Sequence, residues 1–162
     1  MKKLIFTTIL PALLAACAGI GGPPPVPGEP VAAVKAKLGE PTGTYPNGAD
    51  TMLEYARGPA GQYTFMARIG PDGRLLSYEQ VLSSEKFATV KPGKDTKETI
   101  LRTFGRPAQR VRYASVEGDV WLYRYKEQNV WDSVMSVEFN RQGVVLAMVN
   151  GPDPEREPRR GR

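Results

Sequence analysis

A pattern that occurs twice along the chain constrains its fold more than any other feature. Gly28, Val34, Leu38, Gly39 and Pro41 follow one another in the first half. Gly93, Ile100, Phe104, Gly105 and Pro107 follow in the same order in the second, with one extra residue after the leading glycine. Farther on, Leu53-Glu54-Tyr55 aligns with Tyr123-Arg124-Tyr125, and Arg68 to Gly73 with Glu138 to Gly143. Such self-similarity means one supersecondary unit used twice. The spacing between copies widens from the helix to the sheet, which predicts added residues in the first loop of the second copy.

Each copy reads as a helix followed by three strands. Val31, Val34 and Leu38 share a helix face, with Pro30 at the start and Gly39 as the stop. In the second copy Ile100, Leu101 and Phe104 make the apolar stripe, and Asp95 with Glu98 has the form of a capping box. Gly105 ends that helix and Pro107 prevents its return. Ser84 to Val90 reads as an extra helical turn that the first copy lacks. The strands show period two: Trp121, Tyr123 and Tyr125 on one face, then Met135, Val137 and Phe139. Pro71-Asp72-Gly73 and Arg141-Gln142-Gly143 are turns into a last strand. An antiparallel meander with one apolar face has to bury it, and the helix is the available cover. The expected class is therefore α+β: two tandem repeats, each of helices packed on a three-stranded sheet, over residues 30–82 and 83–150.

The flanks address the chain to the cell envelope. Lys2 and Lys3 precede an apolar run, Leu4 to Leu14, that is too short to span a bilayer and fits a secretory leader over residues 1–16. Leu14-Ala15-Ala16-Cys17 closes it with the only cysteine in the sequence. That motif resembles the bacterial lipobox, which implies covalent lipid on Cys17 and no other cofactor. Stable anchoring takes more than one acyl chain, and the lipobox pattern implies them. Residues 17–29 are rich in Gly and Pro and read as a tether. Ala18, rather than aspartate, resembles the pattern for an outer-membrane, periplasm-facing destination. Residues 151–162 combine Pro152, Pro154 and Pro158 with four arginines and read as a disordered basic tail. The basic balance is slight, 22 Lys and Arg against 17 Asp and Glu. The compartment more than the charge excludes a nucleic-acid partner.

Lys91-Pro92-Gly93, Thr96, Ile100, Phe104-Gly105-Arg106-Pro107, Trp121-Leu122-Tyr123 and Phe139 to Val145 carry a resemblance to a known family. It is the small-lipoprotein family of the outer-membrane β-barrel assembly machinery (BamE, also called SmpA/OmlA). The resemblance implies helices on a three-stranded antiparallel sheet and a role in docking envelope proteins. Tandem copies of this fold are also similar to secreted β-lactamase-inhibitor proteins. That similarity implies the alternative function, a periplasmic binder that holds a hydrolase on a concave sheet surface.

The chain has no histidine, which removes the usual general base and the common nucleophile pairs. Asp50/Glu54 and Glu117/Asp119 are the closest carboxylate pairs and read as turn charges, and no metal-ligand spacing occurs. We therefore expect a non-catalytic protein-interaction module. Arg106, Arg110 and Arg112 form a basic stretch between helix and sheet. It reads either as a solvated edge or as a site for an acidic partner or phospholipid head group. Trp131 shares the parity of Met135, Val137 and Phe139, which places it in the core. The alternative, from its position beside a loop, is an exposed contact anchor.

Overall fold

A computed structural model describes residues 23–58 and 61–156. Cys17, the leader and the last six residues lie outside that range. The order is α1 (Val31–Leu38), β1 (Gly43–Asn47), β2 (Asp50–Arg57), β3 (Tyr63–Ile69), β4 (Leu75–Gln80), α2 (Ser84–Phe87), α3 (Lys97–Phe104), β5 (Gln109–Val111), β6 (Val120–Glu127), β7 (Trp131–Phe139) and β8 (Val145–Pro152). The strands form two four-stranded sheets, β1-β2-β3-β4 and β5-β6-β7-β8, antiparallel throughout.

This corrects the expected fold class. The described chain is mostly β, and each sheet has four strands rather than three. The helices are short, eight residues in α1 and α3 and four in α2. The missed strands, β1 and β5, are edge strands. β1 reads Gly-Thr-Tyr-Pro-Asn, which is turn chemistry, and Pro46 is tolerated because an edge needs no donor on its open side. β5 has only three residues, too few to show alternation.

The elements stack in layers. Val34 of α1 packs with Leu53, Tyr55, Ala67, Ile69 and Leu75 on the front of sheet one. Ile100 and Phe104 of α3 and Phe87 of α2 pack with Trp121, Tyr123, Tyr125, Val137 and Phe139 on the front of sheet two. Met66, Val81 and Leu82 belong to this second core, and Tyr45 and Met52 pack against it. The back of sheet one thus lies on α3, so that α2 and α3 are held between the sheets. Full burial of side chains such as Ile100 and Phe104 contributes about 1.5–3 kcal/mol each.

Hydrogen bonds recur at equivalent places in the two halves. Gly39 N–H donates to Lys35 O and Gly105 N–H to Leu101 O, both at 2.8 Å. Thr42 N–H donates to Glu54 O, and Ala108 N–H to Leu122 O. Ile69 pairs with Leu75 as Phe139 does with Val145. These fix the correspondence between the halves and shift the aligned tripeptides: Leu53 stands opposite β1 as Trp121 does opposite β5, and Tyr55 matches Tyr123. The added residues of the second half are divided between the β5–β6 connection and the β6–β7 hairpin. The cap of α3 is Thr96, whose hydroxyl accepts from Thr99 N–H, while Asp95 accepts from Lys91 N–H. β8 runs on through Pro152 and Asp153 is buried, so the ordered chain extends past 150.

Candidate functional site

The β6–β7 hairpin presents the two most exposed large apolar residues among those described. Gln128 and Asn129 take φ of 51° and 58°, the left-handed conformation that a tight primed turn requires, and Val130 N–H closes the turn on Glu127 O. Val130 and Trp131 follow at 62% and 64% exposure. Trp131 does have the parity of Met135, Val137 and Phe139. It pairs with Glu127 at the extreme end of the ladder, where nothing described covers most of its ring, and the core reading fails for that reason.

The base of the hairpin is braced by polar contacts. Lys126 Nζ lies 2.8 Å from Asp132 Oδ1, and the buried Gln62 of the first half donates to the same oxygen at 2.6 Å. These two donors, Lys126 first, hold the Asp132 carboxyl below the usual aspartate range. Ser133 Oγ donates to Glu127 Oε2, and Asn150 Nδ2 to Glu127 Oε1. Beside the hairpin opens a cleft of about 450 Å³ lined by Tyr63, Phe65, Ser84 and Gln128. The tip is therefore a stiffly mounted apolar knob at the edge of a hollow.

The three arginines do not join it. Arg110 lies over the Trp121 ring, 4.7 Å from its centroid. Arg112 pairs with Asp119 at 3.1 Å, and with its side chain 75% exposed such a pair contributes little. Arg112 and Asp119 stand beside the start of β6, whereas Trp131 faces its end. Seven strand residues separate those ends by about 23 Å. Arg106 is at the end of α3, where its backbone N–H donates to Glu54 Oε2 at 3.3 Å and its guanidinium lies 3.9 Å away.

Glu54 is the residue that sequence reasoning misplaced. Rather than a turn charge, it is buried at the junction of the sheets, 1% exposed, and accepts from Tyr45 Oη at 2.5 Å. Burial first, and then this hydrogen bond, raise the Tyr45 phenol well above its ordinary value. A Cβ added at Gly43 or Gly105 would stand 2.5 or 2.6 Å from the Glu54 carboxylate group, so a side chain at either place would displace it. The signal that could have found it is the run Met52 to Ala56, too apolar around Glu54 for a strand with a wet face. A cleft of about 260 Å³ opens beside it, lined by Thr42, Thr64, Arg106 and Tyr123. Asp50, its supposed partner, pairs instead with Arg68 at 2.5 Å. Asp119 is held by Lys97 and Arg112, which keep its carboxyl low.

No protein-family model matches the chain, and no curated protein matches it. Among solved structures, it is similar to a DUF4309 family protein (YjgB) from Bacillus subtilis, with 11% identity and a TM-score of 0.33 over 75% of this chain and 77% of that one. That degree of likeness carries no argument about fold or function.

Proposed function

We propose that the protein is a non-catalytic, lipid-anchored interaction module of the cell envelope, held at the outer membrane through Cys17, that docks on another envelope protein. The BamE-like residues of the second half make support of outer-membrane assembly the leading role. The observation that carries the reading is the exposed Val130-Trp131 pair on its braced hairpin. Tryptophan on a rigid mount has little conformational freedom to lose on binding and recurs at interaction hot spots. The leader and Leu14-Ala15-Ala16-Cys17 supply the address.

The test is affinity purification from crosslinked envelopes, comparing the native chain with Trp131→Ala and Cys17→Ser. The expected outcome is an envelope protein recovered with the native chain and lost with either variant. Recovery unchanged by Trp131→Ala would remove the hairpin from the account. Mass spectrometry showing an unacylated Cys17 would remove the anchor.

A further inference from the structure

The repeated fold does not ask for a carboxylate at position 54. Leu53 corresponds to Trp121 and Tyr55 to Tyr123, so the matching place in the second half holds Leu122. Yet Glu54 is 1% exposed, and its carboxylate is engaged on one side alone. Tyr45 Oη and Arg106 N–H both donate to Oε2, and the Arg106 guanidinium lies 3.9 Å from the same oxygen. Oε1 accepts from no described residue. A buried ionised carboxylate calls for donors on its remaining lone pairs. A structural ion pair would lay the guanidinium on the carboxylate, but the Arg106 side chain is 59% exposed.

Where α3 ends, Arg106, Pro107 and Ala108 of the second half and Glu54, Ala56 and Thr64 of the first line the cleft of about 260 Å³. Thr64 stands opposite Ala56 on the neighbouring strand, on the face that carries Glu54. Its hydroxyl donates to Gly61 O at a long 3.4 Å and has room to accept. Arg124 also lines the cleft, but Asp153 and Glu155 already engage it. Pockets for drug-sized ligands run to about 300–1,000 Å³, so this one takes something smaller. One buried anion beside one open cation, with an apolar wall of Ala56, Pro107 and Ala108, matches a zwitterion rather than an ion of either sign.

We propose that this cleft binds a free α-amino acid with a small apolar side chain, its ammonium on Glu54 Oε1 and the Thr64 hydroxyl, its carboxylate on Arg106. Titration calorimetry on the full chain tests this with L- and D-alanine as probes, and with ethylamine and propionate as their halves. Saturable binding of at least one alanine enantiomer is expected, and of neither half, at up to about 10 mM, ten times a millimolar Kd. Arg106→Gln keeps the backbone bond to Glu54. It is expected to weaken alanine binding about tenfold without shifting the thermal midpoint. Glu54→Gln keeps an acceptor for Tyr45 and is expected to weaken binding at least as much; should that variant fail to fold, Arg106→Gln carries the test. No alanine binding, binding matched by ethylamine or propionate, or affinity unchanged by Arg106→Gln would overturn the proposal. The assay involves neither Trp131 nor Cys17, so its failure leaves the interaction-module reading standing.

Discussion

Two tyrosines at equivalent positions show how much a single hydroxyl partner matters. Tyr123 Oη donates to Gly105 O at 2.9 Å, whereas the Tyr55 hydroxyl is buried with no partner among the described residues. An unpaired buried hydroxyl costs stability, and a paired one contributes about 1 kcal/mol. Tyr123→Phe is therefore expected to lose about 1 kcal/mol in urea unfolding, and Tyr55→Phe to be neutral or stabilising. Equal losses for the two would show that the hydroxyls are in like surroundings. At Glu54, replacement by alanine strips the acceptor from Tyr45 Oη and Arg106 N–H. The expected cost is about 2–3 kcal/mol, read from the denaturant midpoint. A loss below ~1 kcal/mol would mean that the junction is held by packing alone. Parity along β2 was visible in the sequence. That both of its faces are covered was not, because the cover on the back belongs to a helix more than 40 residues further on.

At the scale of elements, the β6–β7 turn holds two non-glycine residues in the left-handed region. Asn-Gly is the pair that such a turn favours. Replacing Gln128-Asn129 by Asn-Gly is expected to raise the thermal midpoint, by an amount corresponding to about 1 kcal/mol, and to leave Val130 and Trp131 in place. A lowered midpoint would contradict the turn geometry. The helices and the central strands were legible because α3 and β6 each carry an unbroken apolar period. The edge strands β1 and β5 were not, since β1 is built from turn-forming residues and β5 has only three residues, too few for a pattern. The α3 cap was misread by one residue: Asp95 and Thr96 are both good capping residues, and only the hydrogen bonds distinguish them. Trp131 was misread for a related reason. Periodicity reports which way a side chain points, not whether anything lies over it there.

Taken whole, the molecule distributes its carboxylates as ties between elements. Asp119 links α3 and the β5–β6 connection through Lys97 and Arg112, and Asp132 links the two halves through Lys126 and Gln62. Glu155 fastens the last turn to β6 through Arg124. All three are held below their ordinary values, chiefly by hydrogen bonds from Lys97, Lys126 and Arg124 respectively. Because the folded-state values are depressed, this stabilisation is present above the ordinary carboxylate range and is lost as pH falls below about 4. Urea midpoints at about pH 6 and about pH 3 are expected to differ, with the lower pH less stable, and Asp119→Asn to flatten the dependence. An unchanged midpoint across that window would mean that the ties contribute nothing. The junction at Glu54 has another consequence. The residue matching Arg106 in the first half is Glu40, so two first halves laid together would bring carboxylate against carboxylate. Halves traded through the connector after β4 therefore pair head to tail, a first half with a second. Such exchange closes where two chains trade reciprocally and runs on from chain to chain where they do not.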